Sequence, residues 1–543
     1  MKKLLSSLLC FAMVATLTAC GGGGRADSTL IRVALGGDCE FLDPAIVDDS
    51  ITANILAQMY EGLYKLDKDG VAQPSVAEAA PEISDDGLTY TIKLKSGYTW
   101  SDGEALKASD YVYAWKRASA MGIGKAYYSQ FINKIVGTTD GAKPLSSPDD
   151  IKNFGAVAKD DNTIVITLKE KCAYFTSLLT NTVFYPLRKD IVEKDGGNPL
   201  TNNWADRLDN PTNGAFRATS INAKDEIVLE RNEKYHAADE VKIEKISFKV
   251  MKDSDTQTSG FQAGDLDWAT SVNNETVQNT EDLKKQAYII DPFVCNYYIL
   301  INSGDENTNK ALKDVDIRKA ISYGINRQNV LDATGYGDYA YALDKLVPVG
   351  IPGANGDYNE EVKDDVYGSY DKAKAQEIMK SKGYSESNML KLTYKYNDLP
   401  LHKDVAQAIQ ASLKEVYIDF QLKVEEKETF FKSRDDGNFE LARHAMTADF
   451  LDPMAYLSMY YGHSLAGNTV DDDKYEAMIT AAEKLDGAER INKLHEAEKY
   501  LIQEQCYMIP LFGYTDPFLK ASDLEGITSS PEGHYDLTRA YYK

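Results

Sequence analysis

The chain has 543 residues, of which 43% are hydrophobic and 27% charged, and its formal charge is −24. That length exceeds what one hydrophobic core serves and calls for two or three domains, while the composition is that of a folded globular chain rather than a disordered or membrane-embedded one. An acidic chain with no basic block of five or more residues is poorly suited to phosphate backbones, which argues against nucleic acid as a partner.

In chain order, the first signal is Lys2-Lys3 followed by an apolar run from Leu4 to Leu17. The run is too short to span a bilayer permanently, so residues 1–19 read as a secretory signal. Leu17-Thr18-Ala19-Cys20 then resembles the bacterial lipobox. This resemblance implies a diacylglyceryl-modified Cys20, with residues 20–29 as a glycine-rich tether to the outer face of the cytoplasmic membrane. The alternative is an ordinary cleaved signal in which Cys20 is incidental.

From Ile31 onward, strand-like and helix-like segments alternate, which is an α/β pattern. Residues 89–95, 162–168 and 227–231 have the period-two alternation of strands. Ser109-Asp110 before Tyr111 reads as a helix N-cap, and residues 405–416 and 474–485 as amphipathic helices. Turn-rich breaks fall near residues 210–214 and 348–356. Past Cys10 and Cys20, the cysteines Cys39, Cys172, Cys295 and Cys506 match no C-x-x-C spacing. Paired disulfides and separate buried thiols both remain open.

Catalytic motifs are missing from the sequence. It has no phosphate-binding G-x-x-x-x-G-K-[ST], no G-x-G-x-x-G and no H-E-x-x-H, and its six histidines are scattered without metal-ligand spacing. Gly462-His463-Ser464-Leu465-Ala466 fails as a nucleophile elbow at its fifth position, where the sharp turn needs glycine. No metal ligands, cofactor site or catalytic residues are expected.

What the sequence does contain is a series of short segments in order. They include Leu42-Asp43-Pro44, Tyr60-Glu61-Gly62-Leu63-Tyr64, Trp100-Ser101-Asp102-Gly103 and Pro211-Thr212-Asn213-Gly214. Asp316-Ile317-Arg318-Lys319-Ala320 and Ala448-Asp449-Phe450-Leu451-Asp452-Pro453 follow. Together they resemble the peptide/nickel class of extracellular solute-binding proteins, in particular the oligopeptide binders of ABC importers, from about residue 30 to 540. Several of these segments are explained as scaffold turns: the Asp-Pro, the Asn213-Gly214 and the turn carrying a buried Trp100.

The resemblance implies a two-lobed, periplasmic-binding-protein-like α/β fold with a hinge and an extra inserted α/β domain. Lobe I is expected over 30–60, 204–294 and 512–543, the inserted domain over 61–203, and lobe II over 295–511. It further implies a non-enzymatic lipoprotein, monomeric, that closes on an extended short peptide and delivers it to ABC permease subunits. A nickel chelate, a haem-like ligand or an oligosaccharide is the alternative cargo, and a secreted hydrolase the remote alternative.

The same resemblance assigns Asp449 to the ligand's α-ammonium, His402, Arg434 and Arg443 to its carboxylate end, and Asp48 and Tyr127 to the site. For Asp449 the competing reading is a helix N-cap, and for its neighbour Asp452 a simple turn. Cys295 matches a cysteine that some members pair across the site, but Thr447 stands where the partner would be. Met446 replaces a pocket aromatic.

Overall fold

A computed structural model describes residues 27–39, 41–138, 143–304, 308–362, 369–460 and 472–543. The expected signal, Cys20 and most of its tether lie outside these residues, as do residues 462–466. Two large sheets, one per lobe, organise the molecule. The first runs in the order Ala287–Tyr288, Phe518–Lys520, Trp268–Ala269, Leu30–Leu35, Lys245–Val250, Glu226–Arg231, Phe216–Asn222. The second runs Ala340–Ala342, Met508–Tyr514, Cys295–Ile301, Leu441–Thr447, Leu390–Asn397, Ile418–Glu425. A third, smaller sheet is built from Glu82–Ile83, Thr89–Lys93, Thr163–Thr167 and Ala156–Asp160.

The chain passes between the two large sheets twice, once between Tyr288 and Cys295 and again between Tyr514 and Phe518. These paired crossings join the two lobes. Cys295–Ile301 is buried at every position. Tyr297, Ile299 and Ile301 face one apolar cluster while Tyr298 and Leu300 face another, as expected of a central strand covered on both sides.

The alternating segments form strands at Thr89–Lys93, Thr163–Thr167 and Glu226–Arg231, and the amphipathic ones form the helices Pro400–Lys414 and Asp473–Glu483. The helix start near Ser109 is corrected. It begins at Ala108 after Lys107, and Asp110 lies inside the first turn, accepting from Lys107 N at 3.0 Å and from buried Trp100 Nε1 at 3.1 Å. A carboxylate there serves both the orphan amides of the helix start and the indole.

Two turns do more than turn. Asp43 accepts from Ala45 N, as an Asp-Pro turn should, but it also forms a fully buried pair with Arg117 at 2.6 and 2.9 Å. That pair ties the segment after Leu30–Leu35 to the helix Ala108–Met121. Asp452 likewise accepts from Met454 N and pairs with Arg490 at 2.6 and 2.8 Å. At Gly214 a side chain has no room, since an added Cβ would lie 2.6 Å from the Met59 carbonyl carbon. The four cysteines of the described residues are buried and joined by no disulfide, and Cys295 lies directly opposite Thr447 across the strand pair.

Candidate functional site

A cavity of about 490 Å3 opens between the lobes. Its wall draws on Gly36 after the first strand, the start of the helix Ser50–Met59, Tyr128, the segment Thr447–Asp449 and the crossing residues Thr515 and Asp516. Five carboxylates line it: Asp48, Asp49, Asp449, Asp516 and Glu532. Among the described lining residues there is no lysine or arginine, and the single imidazole, His534, is pushed down to about 4 by burial and is therefore neutral at pH 7. The site thus gathers acidic groups with no internal counter-charge, which favours a cationic ligand group.

Asp449 lies just beyond the strand Leu441–Thr447 and is not a helix cap, because the next helix, Met454–Leu457, is entered from Pro453. Its Oδ1 accepts from Tyr128 Oη at 2.9 Å, a bond between residues 321 positions apart in sequence. Burial raises its carboxyl to about 6, with the tyrosine bond pulling the other way. Asp48 is exposed on the cavity wall, and Asp49 is partly committed to capping the helix, accepting from Thr52 N at 2.8 Å. Tyr127, 42% exposed, does not line the cavity but has its ring 5.1 Å from Tyr128 and is close enough to feel the charges of Asp449 and Asp48. Sequence reading missed Tyr128, Asp516 and Glu532, which have no short-range motif. Burial raises Asp516, against the bond donated by Tyr336 at 2.8 Å, and raises Glu532 well above the ordinary range, the charge of Asp449 adding to the effect.

The three expected cations gather in lobe II and do not line this cavity. Arg443 is buried, donates to Asn397 Oδ1 at 2.7 Å and lies 5.1 and 5.4 Å from the rings of Phe430 and Phe431. Arg434 sits 4.9 Å from the same Phe431 ring and pairs with Asp435 at 2.8 Å. No carboxylate of the described residues lies within ion-pair distance of Arg443. His402 lies beside Arg443 in the same group. Burial, reinforced by the neighbouring Arg443, lowers it to about 3, so it is a neutral ring beside Tyr297 Oη at 3.2 Å rather than a cation. Met446 is half-buried against the core.

The strand that joins the two regions has an open edge. Leu441–Thr447 pairs along its whole length with Cys295–Ile301, but with Leu390–Asn397 only at Leu441 and Ala442. From Arg443 to Thr447 the backbone therefore has one side without a strand partner among the described residues.

The 27% identical oligopeptide-binding protein OppA of Bacillus subtilis (strain 168) aligns over 100% of this chain and 100% of its own. The probable deoxycholate-binding periplasmic protein YgiS of Escherichia coli (strain K12) is 26% identical over 88% of this chain and 86% of its own. In fold, the chain is similar to Haemophilus influenzae OppA in complex with RPPGFSPFR, with a TM-score of 0.74 at 24% identity over 95% of this chain and 99% of the other. Residues 71–468 match the family described as bacterial extracellular solute-binding proteins, family 5 (middle region), and the chain belongs to that family.

Proposed function

We propose that this protein captures short peptides in extended form between its lobes and hands them to the permease of an ABC importer. The observation that carries the reading is the segment from Arg443 to Asp449. It has an unneutralised buried cation at one end, a carboxylate in a cation-free cavity at the other, and an unpaired strand edge between them. A zwitterionic chain matches that order of charges. Main-chain bonds to the free edge bind any sequence, which is β-strand addition. Asp449 replaces the water lost by the α-ammonium, and Arg443, with Arg434 behind it, meets the carboxylate. Six residue steps separate the two poles, about 20 Å of extended chain, so peptides of about four to six residues span them. Asp48 and Tyr127 complete the ligand set. The OppA relatives and the peptide-bound neighbour support the cargo class.

On this reading the protein is a binder without catalytic residues, monomeric, and anchored outside the cytoplasmic membrane through a lipid on Cys20. Residues 30–60, 204–294 and 512–543 form lobe I, 61–203 the inserted domain and 295–511 lobe II, with closure about the two crossings burying the ligand. The YgiS relative gives a second cargo, a bile-acid-like anion, but the acidic cavity opposes it. A thermal-shift screen separates them. Peptides of two to ten residues should raise the melting temperature while deoxycholate, nickel chelates, haem and oligosaccharides do not, and no peptide should be cleaved. Stabilisation by one of the other ligands alone would overturn the assignment.

A further inference from the structure

Beside the first cavity lies a second of about 390 Å3, and the two share a wall made of Thr180, Glu532, His534 and Tyr535. Tyr60, Tyr64, Tyr185 and Tyr235 line the second chamber. Its other charged groups are already engaged: Glu61 with His236 at 2.9 Å and Ser75 at 2.6 Å, Asp67 with Gln73 at 2.8 Å and Val71 N at 2.9 Å, Lys65 with Asp536 at 3.5 Å, Lys68 with Asp69 at 2.6 Å. Glu532 is different. It faces both chambers, and its Oε1 is fully buried with no hydrogen-bond partner among the described residues.

The fold holds this carboxylate in place. Glu532 sits in a tight turn closed by Ser530 N to His534 O at 2.8 Å and Gly533 N to Ser530 O at 3.0 Å. Buried Asn54 and Gln58 of the helix Ser50–Met59 accept from Tyr535 N and Leu537 N, both at 2.9 Å, pinning the turn to lobe I. Gly533 has φ +88°, and an added Cβ would meet the Phe293 ring at 2.9 Å, so this position of the turn is held to glycine. A buried acceptor fixed without a partner costs stability, and a charged donor from a ligand would offset that cost.

We propose that Glu532 receives a positively charged side chain on the first residue of the bound peptide, making the protein selective for peptides that begin with arginine or lysine. The inference rests on the peptide reading above. With the α-ammonium on Asp449, the next cation within reach is the side chain of that same residue. Its apolar stem and planar head fit a chamber walled by tyrosine rings, where a guanidinium stacks and donates at once. Burial holds both acids toward their protonated forms in the empty site, and the two positive charges of one residue draw both into the ionised form.

Calorimetry with Arg-Ala-Ala-Ala-Ala and its citrulline-first counterpart tests this, since citrulline keeps the shape and removes the charge. The wild type should bind the arginine peptide at least tenfold more tightly, and Ala-Arg-Ala-Ala-Ala should lose that advantage. In Glu532→Gln the preference should vanish, with an unchanged circular-dichroism spectrum and cooperative melting certifying the fold. Equal affinity of the wild type for the arginine-first and citrulline-first peptides overturns the Glu532 subsite alone. So does a preference that survives in Glu532→Gln. Failure of every peptide to bind overturns the peptide reading with it.

Discussion

Asp449→Asn separates what the site costs the empty protein from what it gives the ligand. Burial raises the Asp449 carboxyl from 3.8 to about 6. The folded state therefore holds its proton more tightly than the unfolded chain does. Between pH 4 and 6 stability falls as pH rises, and above 6 the full penalty of the bare carboxylate is present. A shift of about two units corresponds to roughly 3 kcal/mol. Asparagine keeps an acceptor for Tyr128 and removes the charge. At pH 8 the unliganded variant should melt higher than wild type, by an amount equivalent to up to about 3 kcal/mol, and the advantage should disappear near pH 4. With saturating peptide the order should reverse, because losing one partner of a desolvated pair costs on the order of 3–5 kcal/mol, or about two to four decades of affinity. Scanning calorimetry across pH, with and without peptide, reads both effects. A variant that melts lower than wild type when empty at pH 8, yet binds peptide equally well, would refute the reasoning.

Arg443→Met paired with Arg434→Met should erase the preference for a free over an amidated C-terminus in a five-residue peptide, mainly through faster release in stopped-flow measurements. Asp43→Asn leaves Arg117 as an uncompensated buried charge; chemical denaturation should show a loss of roughly 3–5 kcal/mol, whereas Lys68→Gln at an exposed pair should leave the denaturation midpoint in place. Cys20→Ala should move the protein from the membrane fraction to the medium, as read by fractionation and immunoblot.

Regular elements were legible because their patterning is local. The alternation around residues 89–95 survives as a strand whose Tyr90 and Ile92 point inward. The Asp43-Pro44 and Asp452-Pro453 turns were legible as turns, but their arginine partners were not, since Arg117 and Arg490 come from helices elsewhere in the chain. Asp449 and Arg443 were legible only through the family resemblance; the strand Leu441–Thr447 carries Arg443, and the segment just beyond it carries Asp449. Tyr128 and Glu532 belong to segments that meet Asp449 only after the chain has folded around the cavity, and the Glu532 turn carries only turn chemistry in its own sequence. The protonation of His402 was not legible either, since burial and the neighbouring Arg443 lower it and neither is visible in the local sequence.

The central claim is that the ligand is a peptide held by its termini. Calorimetry with one five-residue peptide in free, N-acetylated and C-amidated forms tests it most directly. The account predicts that acetylation lowers affinity at least a hundredfold through loss of the Asp449 pair, and that amidation lowers it less, since Arg443 retains Asn397 as an acceptor. Equal affinity for the free and acetylated peptides would contradict it.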